Sequence, residues 1–205
     1  MKISSWIVPS LIFAATGAAL VIWLGRVEKT DRVPERDGAV SERPARRDFR
    51  LVDTSEQEVT LATYEGKWLL IFFGYTNCPD ICPTTMINVA ATLDAMGARA
   101  AAVQPIFITI DPDRDSPALL REYLANFGGN IVGLSGTAQE IAAAAKSYGV
   151  YYSKEPTNDG SYGMNHSAAL YLVSPTGVFE RPYRPDLDPS ELAKELGLRM
   201  MASGG

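Results

Sequence analysis

The sequence predicts a layered α/β domain, with a central mixed sheet flanked by helices. Two apolar runs of strand length, Trp68–Tyr75 and Gln104–Ile110, are typical of strands that are buried on both faces. A segment with apolar residues at helical spacing follows each run, and this alternation of strand and helix indicates an α/β fold. The composition, 46% hydrophobic and 21% charged, is that of an ordinary globular protein.

The first predicted elements are a short hairpin, a buried strand and a helix. Phe49–Asp53 and Glu58–Leu61 form the hairpin, and Trp68–Tyr75 forms the strand. Pro83 is predicted to be the first residue of the helix, with Cys82 as its N-cap, because proline is well tolerated where amides are left unpaired. The core face of this helix comprises Met86, Val89, Ala90 and Leu93.

Two further helices follow the second buried strand, each with its own start signal. Ser116-Pro117 predicts the start of one helix, which Gly128 ends. The other begins with the capping box Thr137-x-x-Glu140 and ends at Gly149, after the short strand Ile131–Leu134. The predicted core face of the helix that starts at Ser116-Pro117 comprises Leu119, Leu120, Tyr123, Leu124 and Phe127.

The last predicted elements are a hairpin, Ala168–Val173 with Val178–Arg181, and a terminal helix that begins at Asp188-Pro189. The complete order of elements fits a thioredoxin-like domain. Tyr151–Met164 has no place in that minimal order, so it is predicted to be an inserted loop. Loops beside a site often carry specificity.

Residues 1–25 are predicted to be an uncleaved transmembrane helix that anchors the chain. Lys2 and Arg26 bound a stretch without charge, and the apolar run Trp6–Leu24 would span roughly 28 Å as a helix, close to the hydrocarbon thickness of a bilayer. A cleaved signal peptide is the alternative, but the bulky residues Val21–Arg26 do not resemble a cleavage site. Local charge does not decide the orientation of the span.

Residues 26–48 are predicted to be a charged flexible linker, and residues 49–205 one domain. Thirteen of the 23 linker residues are charged, so this stretch cannot bury enough apolar surface to fold. The chain as a whole has a net charge of −5 and no basic stripe. This acidic balance argues against a nucleic-acid partner.

The chain has two cysteines, Cys78 and Cys82, and one histidine, His166. Two thiols and an imidazole suit copper, or less distinctively zinc, far better than magnesium or calcium. Both cysteines follow the strand Trp68–Tyr75, and ligands of open α/β sheets bind at the carboxyl ends of the strands. His166 precedes a predicted strand that borders the cysteine loop. The three residues are therefore candidate metal ligands, and Met164 is a weaker candidate.

The cysteine spacing leaves other chemistry open. Three residues separate Cys78 from Cys82, whereas thioredoxin-type oxidoreductases have two between their cysteines. The wider loop suits two sulfur ligands to a metal, but it also allows a redox-active or a static disulfide.

Asp111–Pro117 follows the second buried strand, at the same sheet edge. Turn formation explains most of this acidic segment; docking of a partner and orientation of the cysteine loop are the functional alternatives.

Three ordered motifs resemble the Sco/SenC family, membrane-anchored copper proteins that assist cytochrome c oxidase assembly. Phe73–Pro83 is similar to the family's metal loop almost residue by residue, and Ile110–Pro117 resembles its second hallmark. Asn165-His166-Ser167 resembles the third, in which aspartate is commoner at the position of Asn165. Asparagine here could alter how His166 is oriented, but it removes no ligand.

The resemblance implies a thioredoxin-like copper metallochaperone that binds Cu(I) or Cu(II) through Cys78, Cys82 and His166. The implied partners are the haem–copper oxidase subunit that carries the dinuclear copper site and a copper-donor chaperone. The implied location is a bacterial inner membrane, with a single-pass anchor and the domain in the periplasm. A mitochondrial inner membrane is less favoured, since only Met1–Ser5 precede the apolar run.

Two alternatives to the chaperone hypothesis use the same fold. A thiol–disulfide oxidoreductase that keeps the client's copper-ligand cysteines reduced needs Cys78 and Cys82 but has no evident use for His166. A peroxidase of the peroxiredoxin or glutathione-peroxidase kind needs neither this cysteine spacing nor the distant histidine. Copper binding and peroxide consumption discriminate among the three hypotheses.

Overall fold

The computed structural model describes residues 47–128, 130–158 and 160–203. The predicted anchor, residues 1–25, and nearly all of the predicted linker, residues 26–48, lie outside them. Among the described residues, no helix combines the length and the apolar character that crossing a bilayer requires.

A mixed sheet of seven strands forms the centre of the described domain. The described strands are β1 (Arg50–Asp53), β2 (Glu58–Thr60), β3 (Trp68–Gly74), β4 (Val103–Thr109), β5 (Val132–Ser135), β6 (Tyr152–Pro156), β7 (Tyr162–His166), β8 (Leu170–Val173) and β9 (Phe179–Tyr183). The order in the large sheet is β2-β1-β5-β4-β3-β8-β9. Strands β3, β4 and β5 are parallel, while β1 and β8 pair antiparallel with β5 and β3. A separate sheet pairs β6 with β7.

Helices cover both faces of the large sheet. The described α-helices are α1 (Ile81–Met96), α2 (Pro117–Leu124), α3 (Ala138–Tyr148) and α4 (Pro189–Ser203). Neighbouring side chains of a strand point to opposite faces. Phe72 of β3 packs on Phe107, which also contacts Tyr123 of α2. Phe73 packs instead on Tyr148 of α3, so α2 and α3 lie on opposite faces.

The start signals of α2 and α3 and the stop signal of α3 were read correctly. The predicted stop of α2 at Gly128 was wrong, because the helix ends at Leu124 and the amides of Asn126 and Phe127 bond to the carbonyl three residues back. The Ser116 hydroxyl accepts a hydrogen bond from the Leu119 amide, and Thr137 and Glu140 form the expected reciprocal capping box. Gly149 ends α3 in the left-handed conformation, at φ 70°. Within the predicted core face of α2, the assignment of Leu119 was wrong, because its side chain is 39% exposed.

The start of α1 differs from the prediction. The helix begins at Ile81, with Asp80 as its N-cap, so Cys82 is the second helical residue and Pro83 the third. The amides of the whole first turn lack partners within a helix, and a proline is therefore tolerated at its third position as well as at its first. Cys82 consequently lies inside the first turn of α1 rather than at its cap.

The segment Tyr151–Met164 is a β-hairpin and not the predicted loop. Strands β6 and β7 pair antiparallel, with Tyr152 opposite His166 and Pro156 opposite Tyr162. We call these two strands and their turn the His166 hairpin. His166 is the last residue of β7, so the candidate ligand belongs to this small sheet and not to the start of β8.

Candidate metal centre

The two cysteines lie where β3 leaves the sheet and α1 begins. Gly74 ends β3 with its backbone against Cys82. A Cβ atom at this position would lie 2.9 Å from the Cys82 Sγ, 2.8 Å from a Phe72 ring carbon and 2.9 Å from a Phe107 ring carbon. Real Cβ atoms essentially never approach other atoms so closely. The absence of a side chain at Gly74 therefore makes the space that the Cys82 sulfur occupies.

The first turn of α1 brings the two sulfurs together. The Cys82 amide donates a hydrogen bond to the Cys78 Sγ at 3.4 Å. This amide is one of those that the helix leaves unpaired, and the positive end of a helix stabilises a thiolate. Cys82 is fully buried, whereas Cys78 is 8% exposed and is the nearer of the two to solvent.

The paired cysteines have opposite pKa shifts. A hydrogen bond from the Cys82 thiol holds the pKa of Cys78 well below its ordinary value, against the opposing effect of burial. The same contact with Cys78, together with burial, raises the pKa of Cys82. These opposite shifts favour the thiolate on Cys78 and the thiol on Cys82. Thiolates are the form in which cysteine binds metals and attacks disulfides.

The His166 hairpin brings the imidazole to the cysteine pair. The His166 Nε2 lies 3.8 Å from the Cys82 Sγ, and its Nδ1 lies 3.1 Å from the Ser167 carbonyl oxygen. A carbonyl only accepts hydrogen bonds, so the proton belongs on Nδ1 and the Nε2 lone pair is free toward the sulfurs. Phe72 and Tyr75 contact the ring edge-on at centroid distances of 6.1 and 5.9 Å. These contacts fix the ring plane.

The three predicted ligands meet at one point. One ligand atom each from Cys78, Cys82 and His166 lies within 4.8 Å of the other two. Two sulfurs and a neutral imidazole nitrogen form a donor set that fits copper or zinc. Met164, the weaker candidate, is a buried member of the hydrophobic core. Asn165 is exposed on the hairpin, and the Ser167 carbonyl is the hydrogen-bond partner of the imidazole.

The acidic segment after β4 holds the start of the cysteine loop. The fully buried Asp115 carboxylate accepts hydrogen bonds from the Thr76 amide at 3.0 Å and from the Thr76 and Thr109 hydroxyls, both at 2.6 Å. The ends of β3 and β4 are also joined directly, since the Ile110 amide donates to the Gly74 carbonyl at 2.8 Å. Orientation of the cysteine loop was one of the two functional alternatives for this segment.

The roles of two residues at this edge, Thr76 and Tyr162, were not predicted from the sequence. Thr76 lies within the metal-loop motif, and a hydroxyl two residues before Cys78 was the available signal. Tyr162 donates a hydrogen bond from its hydroxyl to Asp111 at 2.9 Å. Its sequence neighbourhood gave no sign of this contact, because it depends on the hairpin that was read as a loop.

Comparison with known proteins shows which family this chain belongs to. The SCO1/SenC family profile matches residues 38–201. The chain is 36% identical to "Protein SCO1 homolog 1, mitochondrial" of Arabidopsis thaliana, in an alignment that covers 92% of this chain and 59% of that protein. It is 38% identical to "Protein SCO2 homolog, mitochondrial" of Bos taurus, over 86% of this chain and 68% of the relative. The chain thus spans less than two thirds of the Arabidopsis protein.

Solved structures agree with the sequence relatives. The structure of Bradyrhizobium japonicum ScoI with copper bound is 45% identical, with a TM-score of 0.69 over 73% of this chain and 96% of that one. Yeast Sco1 with copper bound is 36% identical, with a TM-score of 0.70 over 75% and 87% of the two chains. The match of the family profile to most of the sequence, together with these relatives, shows that the chain belongs to the SCO1/SenC family.

Proposed function

We propose that this protein is a copper metallochaperone that assists assembly of the copper centre of cytochrome c oxidase. The observation that carries the proposal is the convergence of Cys78, Cys82 and His166, whose ligand atoms lie within 4.8 Å of one another. Relatives whose structures contain copper, ScoI of Bradyrhizobium japonicum and yeast Sco1, support copper as the metal.

The donor set suits copper cargo in either oxidation state. Thiolate sulfur favours Cu(I), and imidazole nitrogen suits copper generally. The site opens on one side, because Cys82 is fully buried while Cys78 is slightly exposed and His166 is half-buried. A client protein's thiolates can approach on the His166 side. His166 is the neutral ligand of the three. When a client thiolate replaces it, no negatively charged ligand of this protein has to leave the copper ion.

The partner proposed for this transfer is the haem–copper oxidase subunit that carries the dinuclear copper site, with a copper-donor chaperone upstream. We further propose that residues 1–25 anchor the chain in a bacterial inner membrane and that the domain faces the periplasm. The apolar run Trp6–Leu24 supports the anchor. A tethered domain stays near a membrane-embedded client, which raises its effective concentration there.

The ligand assignment is tested with the full chain, purified in detergent and reduced. Wild type, His166→Ala and Asn165→Ala are loaded with Cu(II), and separately with Cu(I) under anaerobic conditions. Asn165→Ala is the control, since Asn165 is the exposed neighbour of His166. We expect one copper per chain and thiolate-to-Cu(II) charge-transfer absorption in wild type and Asn165→Ala, and loss of the absorption in His166→Ala. Unchanged copper absorption in His166→Ala would refute the assignment.

A second candidate function is reduction of the client's copper-ligand cysteines. The observation that favours it is the lowered pKa of Cys78, which supplies a nucleophilic thiolate beside the thiol of Cys82. Attack of the Cys78 thiolate on a client disulfide would form a mixed disulfide, which the Cys82 sulfur resolves once it is deprotonated. The client leaves as a dithiol, and this protein keeps a Cys78–Cys82 disulfide. Reduction of an oxidised dicopper-site peptide by the metal-free protein, in wild type and in His166→Ala alike, would identify this activity.

A further inference from the structure

The candidate ligand His166 belongs to the His166 hairpin, which is not part of the main sheet. Strands β6 and β7 pair only with each other among the described strands. An isolated two-stranded hairpin is marginally stable in water. The position of His166 relative to the cysteines therefore depends on the contacts that attach the His166 hairpin to the rest of the domain.

One such attachment is centred on Tyr162, at the start of β7. The Tyr162 hydroxyl donates to the Asp111 carboxylate at 2.9 Å, and the Arg114 Nη1 donates to the Tyr162 carbonyl oxygen at 2.9 Å. The Arg114 guanidinium also lies 3.8 Å from the centre of the Tyr162 ring and forms an ion pair with the fully buried Asp111. Asp111 and Arg114 thus grip both the side chain and the backbone of Tyr162.

The same loop also holds the cysteines. Asp111–Asp115 is closed on itself by the Asp115 amide, which donates to the Asp111 carbonyl at 2.9 Å. At one end of this loop Asp115 holds Thr76, and at the other Asp111 and Arg114 hold Tyr162. A single short loop with two fully buried carboxylates therefore connects the cysteine side of the site to the histidine side.

The strand geometry transmits this attachment to His166. Side chains two residues apart in a strand point to the same face, so Tyr162, Met164 and His166 share one face of β7. Met164 on this face is buried, and Asn165 on the other face is exposed. Tyr162 and His166 are four residues apart, about 13 Å along a strand. Fixing Tyr162 against the loop therefore also fixes the face that presents the imidazole.

We propose that Asp111, Arg114 and Tyr162 form a latch that positions His166 against Cys78 and Cys82. The inference rests on the proposed copper function for its role, but the latch itself is a property of the metal-free protein. With the latch open, the two cysteines keep their place on α1 while the imidazole moves away. Two thiolates satisfy the soft Cu(I) ion better than they satisfy Cu(II), which relies more on nitrogen donors. Loss of the latch therefore weakens Cu(II) binding more than Cu(I) binding.

The test uses Tyr162→Phe in the full chain, with Tyr151→Phe as a matched control. Tyr162→Phe removes only the hydroxyl that reaches Asp111. Tyr151 lies beside the same hairpin, is 61% exposed and directs its hydroxyl to Ser153 rather than to the loop. The affinities for Cu(II) and for Cu(I) are measured by competition with chelators. Hydrogen–deuterium exchange of residues 162–166 is measured without metal.

We expect Tyr162→Phe to lose about tenfold in Cu(II) affinity, the lower end of the range for partners that orient metal ligands. Its Cu(I) affinity should fall less, and exchange of residues 162–166 should be faster, while Tyr151→Phe resembles wild type in every measurement. Arg114→Lys should repeat the effect, because lysine keeps the charge but lacks the planar fork that bridges Asp111 and Tyr162.

Two outcomes would overturn the latch. One is that Tyr162→Phe and Tyr151→Phe have the same hydrogen–deuterium exchange and the same Cu(II) affinity. The other is an equal loss of Cu(I) and Cu(II) affinity with a lowered unfolding temperature, because general destabilisation does not distinguish the two ions. Absence of copper binding by wild type would instead count against the proposed function, and the exchange comparison without metal would still decide the latch.

Discussion

Replacement of Gly74 by alanine perturbs the metal centre by a single methyl group. Gly74 is fully enclosed at the end of β3, and its added Cβ would meet the Cys82 sulfur at 2.9 Å and two phenylalanine rings at 2.8 and 2.9 Å. Ordinary contacts of this kind begin at 3.4 Å. Phe72 and Phe107 are fully buried and closely packed, so the sulfur, which can rotate about one bond, is the neighbour that yields most easily.

The required displacement is large on the scale of metal coordination. To move from 2.9 Å to 3.4 Å the Cys82 sulfur must retreat by about 0.5 Å, whereas ligand distances in metal sites are held within about 0.2 Å. We therefore expect the Gly74→Ala protein to lose at least about tenfold in copper affinity, equivalent to about 1.4 kcal/mol. Overpacking should also lower the free energy of unfolding by about 1–3 kcal/mol.

Gly163→Ala is the matched control for this substitution. Gly163 lies in β7, three residues before His166, and a Cβ there meets nothing within 4 Å. We expect its free energy of unfolding to change by less than about 1 kcal/mol and its copper affinity to match wild type. Copper affinity is measured by chelator competition and unfolding by denaturant titration. Wild-type copper affinity in Gly74→Ala would refute the argument that this glycine makes room for the Cys82 sulfur.

Two further predictions concern the residues around the cysteines. Asp115→Ala should lower the free energy of unfolding by about 2–5 kcal/mol, because three buried or half-buried donors, among them the Thr76 amide, lose a charged acceptor. Denaturant titration measures the change, with Asp113→Ala, a change at an exposed carboxylate, as the control. Equal unfolding midpoints for the two variants would contradict the prediction. In the metal-free protein at mildly acidic pH, iodoacetamide should modify Cys78 and spare Cys82. The lowered pKa of Cys78 keeps its thiolate as the pH falls, whereas the raised pKa and complete burial of Cys82 keep it a protected thiol. Peptide mass mapping measures the labelling, and preferential modification of Cys82 would show that the assignment is reversed.

The buried sheet was predictable because its strands have a strong signal of their own. All seven residues of β3 are buried, and its sequence is a continuous apolar run. The helix ends at Thr137 and Gly149 were equally predictable, since a capping box and a glycine in the left-handed conformation act within a few residues. The family resemblance was confirmed, and two of its three motifs contain the cysteines and the histidine that the structure brings together.

The His166 hairpin could not be recognised from its sequence. Strand β6 has no buried residue and consists of Tyr-Ser-Lys-Glu-Pro, a polar pattern that is equally typical of a loop. Its pairing with β7 is local, but the contacts that attach the hairpin at Tyr162 come from Asp111 and Arg114, 51 and 48 residues earlier in the chain. A pattern read along the sequence does not contain such a contact.

The start of α1 shows a different limit. A proline is compatible with each position of the first turn, so Pro83 limited where the helix begins without fixing it. The two-residue difference moved Cys82 from the cap into the helix. In that position its amide faces the Cys78 sulfur, and this contact adds to the larger effect of the Cys82 thiol in lowering the pKa of Cys78.

X-ray absorption at the copper edge tests whether Cys78, Cys82 and His166 bind one copper together. The sample is the full chain loaded with one equivalent of Cu(I). We expect two sulfur donors and one nitrogen donor per copper, with loss of the nitrogen in His166→Ala. A spectrum with only nitrogen and oxygen donors, or one that is identical in wild type and His166→Ala, would contradict it.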